Sequence, residues 1–278
     1  MLRQPALIKT GDSWTFVQPD NTVSFYKELL TAMELMDSRM IVAERMLRKI
    51  IMVCGTGSID ALLTLGLILN RSGRSIEGDA LIHRAHSICL EAIPPCFDTN
   101  LDEVYWCIIE NRPFLRSFHA VCAAYIREQQ YDKALEKINY LLRINKGDDT
   151  DVSAMLPACY LHLQQYEAYM DWYNALPAGK RTMETAFCSF LACFKLGRKE
   201  LARTKFLEAR REYPHMAAEL IKSHHRFPED EFETMQAEIP AGSRQEAFVY
   251  WYKSKELWQA ETALKQFMMS IDSHILRP

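Results

Sequence analysis

Glu128-Gln-Gln-Tyr131-Asp-Lys-Ala134 returns as Leu163-Gln-Gln-Tyr166-Glu-Ala168, with the two tyrosines 35 residues apart. A third copy, Leu196-Gly-Arg-Lys199-Glu-Leu-Ala202, sets Lys199 a further 33 residues along. A period of about 34 residues that joins two helical patterns across a short polar turn marks a row of stacked helix pairs, because one pair cannot bury its apolar face alone and a row can. The expected fold is therefore all-α, a right-handed superhelical solenoid of antiparallel helix pairs.

The copies can be compared residue by residue. Around Tyr131 the first helix carries Phe118, Val121, Cys122 and Tyr125, and the second carries Ala134, Ile138 and Leu141. Small residues let two helices approach, and large ones fill the space between them. The next copy reads Leu156, Tyr160, Tyr166 and Tyr173, with Pro157 in a small position and Tyr169 where alanine is expected, so it is expected to be distorted. The third gives Ala186, Phe190, Gly197, Ala202, Phe206, Ala209 and a closing Pro214. Weaker copies flank these: Leu62, Leu65, Gly66 and Leu69 before Gly73, Gly78, Ile82 and Ala85, and Ala247, Phe248 and Trp251 before Ala260, Leu264 and Phe267. The spacing resembles that of tetratricopeptide (TPR) repeats. Tyr125, Ala134, Ile138, Phe190, Ala202 and Phe206 are the expected core.

Composition narrows the function classes. With 278 residues, 49% of them apolar, the chain can build one continuous core. A formal charge of −3 gives no footprint for nucleic acid. Arg45, Arg48 and Lys49 read as a solvated helix face. Residues 1–20 lack the apolar centre of a secretory leader, and the apolar run Ala61–Leu69 is too short to span a bilayer. Eight cysteines, dispersed over helical faces, fit buried thiols in a reducing cytoplasm. No strand pattern stands out, and residues 1–20 read as a loop. A helix is expected from Asn21 through Phe25, Leu29, Leu30, Met33 and Met36, and another from Asp37 or Ser38 to the stop at Gly55 and Gly57. Residues 1–40 form an N-terminal segment, and 41–278 one repeat domain with an irregular insert near 227–243.

Two motifs are more specific than the repeat. Trp106-Cys-Ile-Ile-Glu110-Asn-Arg112-Pro113-Phe114-Leu-Arg116 comes before the strongest copy. Tyr213-Pro-His215, Ala218-Glu-Leu-Ile221, Ile239-Pro-Ala-Gly242-Ser243, Glu246-Ala247 and Leu257-Trp258 come after the last clear one. Together they resemble TPR proteins of the suppression-of-tumorigenicity type and their bacterial relatives over residues 41–270. That resemblance implies a protein-interaction role without enzymatic activity. Physically, Pro113 suits the first turn of a helix, where its missing N–H would have no partner. Arg112 and Arg116 then share a face, with Glu110 just ahead of the helix. One reading is a structural Glu–Arg clasp with Trp106 against a guanidinium. The other is a fork for a carboxylate or phosphate.

Constellations for catalysis are weak. His215, His224, His225 and Glu229 could be gathered round a metal, but no ligand spacing accompanies them, and neither metal nor cofactor is expected. Gly55-Thr-Gly57 lacks the lysine of a phosphate loop. No motif orients a cysteine against His83, His86, His119 or His162 as a nucleophile. The methionines at 33, 36, 40 and 46 read as adaptable core. In a TPR array the first helix of each pair lines the inner wall. Those positions are Leu63, Leu67 and Arg71, then Arg116, His119, Ala123 and Ile126, then Ala154, Ala158 and Leu161, then Phe187, Leu191 and Phe194. Ala123 and Ala158 stand where a clamp for a terminal carboxylate needs amides. So apolar a wall is expected to hold an amphipathic helix, either the chain's own segment 21–36 or that of a protein or peptide partner. The leading expectation is a non-catalytic scaffold; the alternative is an enzyme or effector with a site in the N-terminal segment or in 215–242.

Overall fold

The computed structural model describes residues 4–228, 239–259 and 262–275. It opens on a feature the sequence reading missed. Residues expected to be a loop form an antiparallel hairpin, β1 (Ala6–Thr10) and β2 (Ser13–Val17), paired from Ala6↔Val17 to Thr10↔Ser13. Gly11, at φ +62°, supplies the positive dihedral that the first position of this two-residue turn requires. Leu7, Trp14 and Phe16 are buried on one face of the hairpin. Trp14 meets Phe97 edge-on at 5.1 Å, Phe16 meets Phe114 at 5.4 Å, and the Leu7 N–H donates to the Ala92 carbonyl at 2.9 Å.

The helices are α1 (Asp20–Val23), α2 (Tyr26–Glu34), α3 (Met40–Cys54), α4 (Ile59–Arg71), α5 (Ser75–Glu91), α6 (Arg112–Arg127) and α7 (Tyr131–Ile144). They continue with α8 (Leu156–His162), α9 (Tyr166–Ala175), α10 (Met183–Lys195), α11 (Lys199–Glu212), α12 (Pro214–Ile221), α13 (Arg244–Gln259) and α14 (Thr262–Ile275). The single helix expected from Asn21 to Met36 is divided into α1 and α2. Two compact units divide the chain, residues 1–159 and 160–278. The N-terminal segment expected to stand apart at residue 40 belongs to the first: Leu29 and Ala32 of α2 share a core with Ala43, Leu47 and Ile50 of α3 and Leu65, Ile68 and Leu69 of α4.

The repeat shows most plainly in its turns. Gly73, Gln129, Gln164 and Gly197 all have positive φ, and each lies two residues before the start of α5, α7, α9 or α11. After each, an N–H donates five residues back: Arg74 to Leu69, Gln130 to Tyr125, Gln165 to Tyr160 and Arg198 to Cys193, at 2.8–3.0 Å. One Schellman-type stop thus ends α4, α6, α8 and α10 alike. Between α4 and α5 the approach is backbone to backbone, since a Cβ on Gly66 would sit 2.8 Å from the Gly78 carbonyl oxygen.

Of the expected core, Ala134, Ile138, Phe190, Ala202 and Phe206 are fully buried. Tyr125 is half-buried, with its ring edge-on to His83 at 4.9 Å. The copy expected to be distorted has a short first helix, α8, preceded by a 3-10 turn at Val152–Met155. Tyr169 there is buried, and its hydroxyl donates to the Thr185 carbonyl at 2.7 Å. The insert expected near 227–243 lies for the most part outside the described residues.

Candidate functional site

Asn111 organises the entrance to α6. Its side chain is fully buried: Oδ1 accepts from the Phe16 N–H at 2.7 Å, while Nδ2 donates to the carbonyls of Trp14 and Tyr105, both at 3.0 Å. The side-chain amide thereby continues the hairpin's ladder and ties β2 to the 105–116 motif.

In that motif the guanidinium of Arg112 stacks over Trp106 at 5.3 Å and that of Arg116 at 5.5 Å, and Arg112 Nε donates to the Trp106 carbonyl at 3.2 Å. The expected Glu–Arg clasp needs one correction. Glu110 is exposed and makes no ion pair among the described residues, and the carboxylate beside Arg116 is Asp60 at the start of α4, at 3.1 Å. The reason is helix phase: α4 lies alongside α6, so Asp60 faces Arg116 directly, whereas Glu110 lies in the 3-10 turn Ile109–Asn111 and points to solvent. Burial raises the Asp60 carboxyl above its ordinary range, and the charge and hydrogen bond of Arg116 oppose that. A cavity of about 390 Å³ opens here, lined by Val23, Tyr26, Asp60, Ile109, Arg112 and Arg116 among others. Arg112 meets no carboxylate among the described residues, and it lines this cavity with Glu110.

The inner-wall positions part company between the two units. In the first, Leu67 is 42% exposed, Arg71 is exposed and pairs with Asp37 at 2.6 Å, and Leu63, Arg116, His119, Ala123, Ile126 and Ala158 are half-buried. Burial pushes the His119 imidazole below its ordinary value despite Asp148 and Asp151. In the second unit the expectation fails: Leu161, Phe187 and Leu191 are buried in its core and Phe194 is half-buried. Phe187 meets Phe206 of α11 at 6.3 Å, and the C-terminal helices reach α10 beside these positions. Phe267 of α14 lies 6.4 Å from Phe190 and 5.3 Å from Phe194, and Tyr250 of α13 reaches the Cys188 sulfur at 3.3 Å. In segment 21–36, Leu29 and Ala32 pack into the α3 and α4 core, while Val23 and Tyr26 border the cavity beside Arg116.

Other polar groups form ties between helices. Asp79 is held by Asn70 Nδ2 at 2.9 Å and by Arg127, which joins α4, α5 and α6. Buried Glu219 accepts from Lys222 Nζ and from His225 Nδ1 at 2.8 Å, and His225 stacks on Trp251. His215 and His224 are exposed, and Glu229 lies outside the described residues. All eight cysteines are free thiols. Burial pushes Cys89, Cys122 and Cys159 up to about 12, which keeps them protonated and poor nucleophiles. Among the described residues no helix is long and apolar enough to cross a membrane.

These features define an all-α helical-repeat protein whose polar side chains chiefly tie neighbouring helices together. The sequence model of the Tcf25 family, described as transcriptional repressor TCF25, matches residues 14–277, and the chain belongs to that family. No curated protein matches it. The resemblance to the suppression-of-tumorigenicity type, carried by the motifs at 106–116, 213–221 and 239–258, gives way to this family.

Proposed function

We propose that the protein is a non-catalytic interaction module that receives a segment of a partner protein on the α4/α6 face of its first unit. The observation that carries this reading is Leu67: a leucine 42% exposed on a helix whose opposite face is core, alongside half-buried Leu63, Ala123 and Ile126. The face runs from the Arg112/Arg116 cavity to Arg71, and Arg116 and Arg71 at its two ends are held by Asp60 and Asp37, which leaves the side chains between them to meet an apolar segment. The apolar area these side chains keep open would be removed from water by a partner segment. The TPR reading gives the same positions as the inner wall.

The family's description adds a setting. A transcriptional repressor would act in the nucleus, which keeps thiols reduced as the cytoplasm does, and this suits eight free cysteines. The net charge of −3 favours a protein partner over direct contact with nucleic acid.

The test is quantitative affinity enrichment with the wild type and a Leu67→Glu/Ile126→Glu double variant, followed by rebinding of the enriched protein with purified components. The reading expects a partner that the wild type rebinds and the variant does not, with helical content unchanged. Equal rebinding by both would overturn it.

A further inference from the structure

The exposed face of α3 carries a second surface, on a different helix from the one above. At about 100° per residue, Ile41, Val42, Arg45, Lys49, Met52 and Val53 fall within an arc of about 120°. All six are exposed, Ile41 by 76% and Met52 by 87%. On the opposite face Ala43, Leu47, Ile50 and Cys54 are buried, so α3 is fixed in the core and presents this stripe without freedom to turn it inward.

Charge distinguishes the stripe from an ordinary solvated face. Arg48, Arg71, Arg74, Arg116 and Arg127 each meet a carboxylate: Glu44 and Glu77, Asp37, Glu44, Asp60 and Asp79 respectively. Arg45 and Lys49 meet none among the described residues, and no acid lies within the stripe. Two unpaired cations therefore sit between apolar ends, Ile41 and Val42 at one and Met52 and Val53 at the other. The ends are about 16 Å apart, the length of three helical turns.

We propose that this stripe docks an acidic amphipathic helix of a partner protein. Its apolar side chains lie on Ile41 and Met52, and two carboxylates between them meet Arg45 and Lys49. A membrane fits the same residues less well. A helix lying in a bilayer surface keeps its cations at the edges of the apolar face, whereas Arg45 stands in the middle of the arc and would be carried below the headgroups. Two cations are also too few to hold a nucleic-acid backbone at physiological salt.

The experiment uses the full chain and a fluorescently labelled synthetic helix of about 18 residues, end-capped, with the face Leu-x-x-x-Glu-x-x-x-Glu-x-x-Leu. Anisotropy is read at low salt, about 50 mM. Saturable binding is expected, weakened about tenfold or more by Arg45→Glu/Lys49→Glu and by replacing the two glutamates of the helix with glutamine. Met52→Ser is expected to weaken it as well. Because all three positions are exposed, the melting temperature serves as a control and should not move. No binding, or binding indifferent to these changes, would overturn the proposal. So would capture of the protein by vesicles of about 30% phosphatidylserine in phosphatidylcholine that Arg45→Glu/Lys49→Glu abolishes while the helix goes unbound. Leu67→Glu should leave helix binding unchanged, so loss at this stripe and loss at the α4/α6 face are told apart.

Discussion

Replacing Asn111 by alanine should remove the clasp between the hairpin and α6. The side chain is fully buried and makes three hydrogen bonds, two of them to β2. Its loss leaves the Phe16 N–H and the Trp14 carbonyl without partners in the interior, and each orphaned group costs about 1–3 kcal/mol. The cavity vacated by the amide adds to this, so a loss of about 3–5 kcal/mol is expected. For a unit of this size that corresponds to a fall in melting temperature of about 10 °C. Tryptophan emission provides a local readout, because Trp14 is buried between the hairpin and Phe97 and should shift to the red as the hairpin loosens. Thr10→Ala, at an exposed position on the same hairpin, is the control and should change neither quantity. A loss under about 1 kcal/mol with unshifted emission would refute the account of Asn111 as the link between the hairpin and the repeat.

Three further outcomes follow from buried groups. His86 is buried without a hydrogen-bond partner for either nitrogen, and burial lowers it from 6.5 to about 3. The unfolded chain therefore takes up a proton that the fold refuses: the stability present above pH 6.5 is lost as pH falls toward 3, by up to about 1.4 kcal/mol per pH unit. Urea titrations of His86→Phe should show a shallower acid limb, and an unchanged limb would contradict the assignment. Glu184 runs the other way, raised by burial from 4.5 to about 7 against the pull of Lys253. Its contribution is whole below pH 4.5 and is lost as pH rises through 7, so Glu184→Gln should gain on the wild type across that window; a constant difference in melting temperature would count against it. Gly66→Ala should destabilise by about 1–3 kcal/mol, although alanine in an exposed helix would stabilise, because the new Cβ meets the Gly78 carbonyl oxygen. A gain in denaturant midpoint would show that α4 and α5 can move apart at no cost.

Much of the fold was legible because the repeat is written in turn chemistry. Gly73 and Gly197 announce their positive φ; Gln129 and Gln164 do not, yet the Gln-Gln-Tyr phrase they share marks the same stop. Pro113 and Pro214 fall in the first turns of α6 and α12, as proline in a helical pattern should. The hairpin was missed although its signal was present: Gly11-Asp12 is a two-residue turn between Leu7 and the alternating Trp14 and Phe16. The lysine and threonines interleaved with them made the alternation look like a polar loop. The inner wall was misread in the second unit because a periodic pattern marks which face of α10 is apolar without saying what covers it. In the structure the chain's own α11, α13 and α14 pack against α10. Asp60 could not be found as the partner of Arg116, since 56 residues separate them and only the stacking of α4 on α6 brings them together.

We propose that a partner protein lies along α4 and α6 of the first unit. The most direct test of this proposal is site-specific photo-crosslinking, with a benzophenone side chain placed in turn at positions 67 and 126, and at position 8 on the exposed side of the hairpin as a control. The account predicts that one and the same protein is captured from both 67 and 126, at stoichiometric yield when purified partner is supplied, and not from position 8. Different proteins from the two positions, or equal capture from position 8, would contradict it.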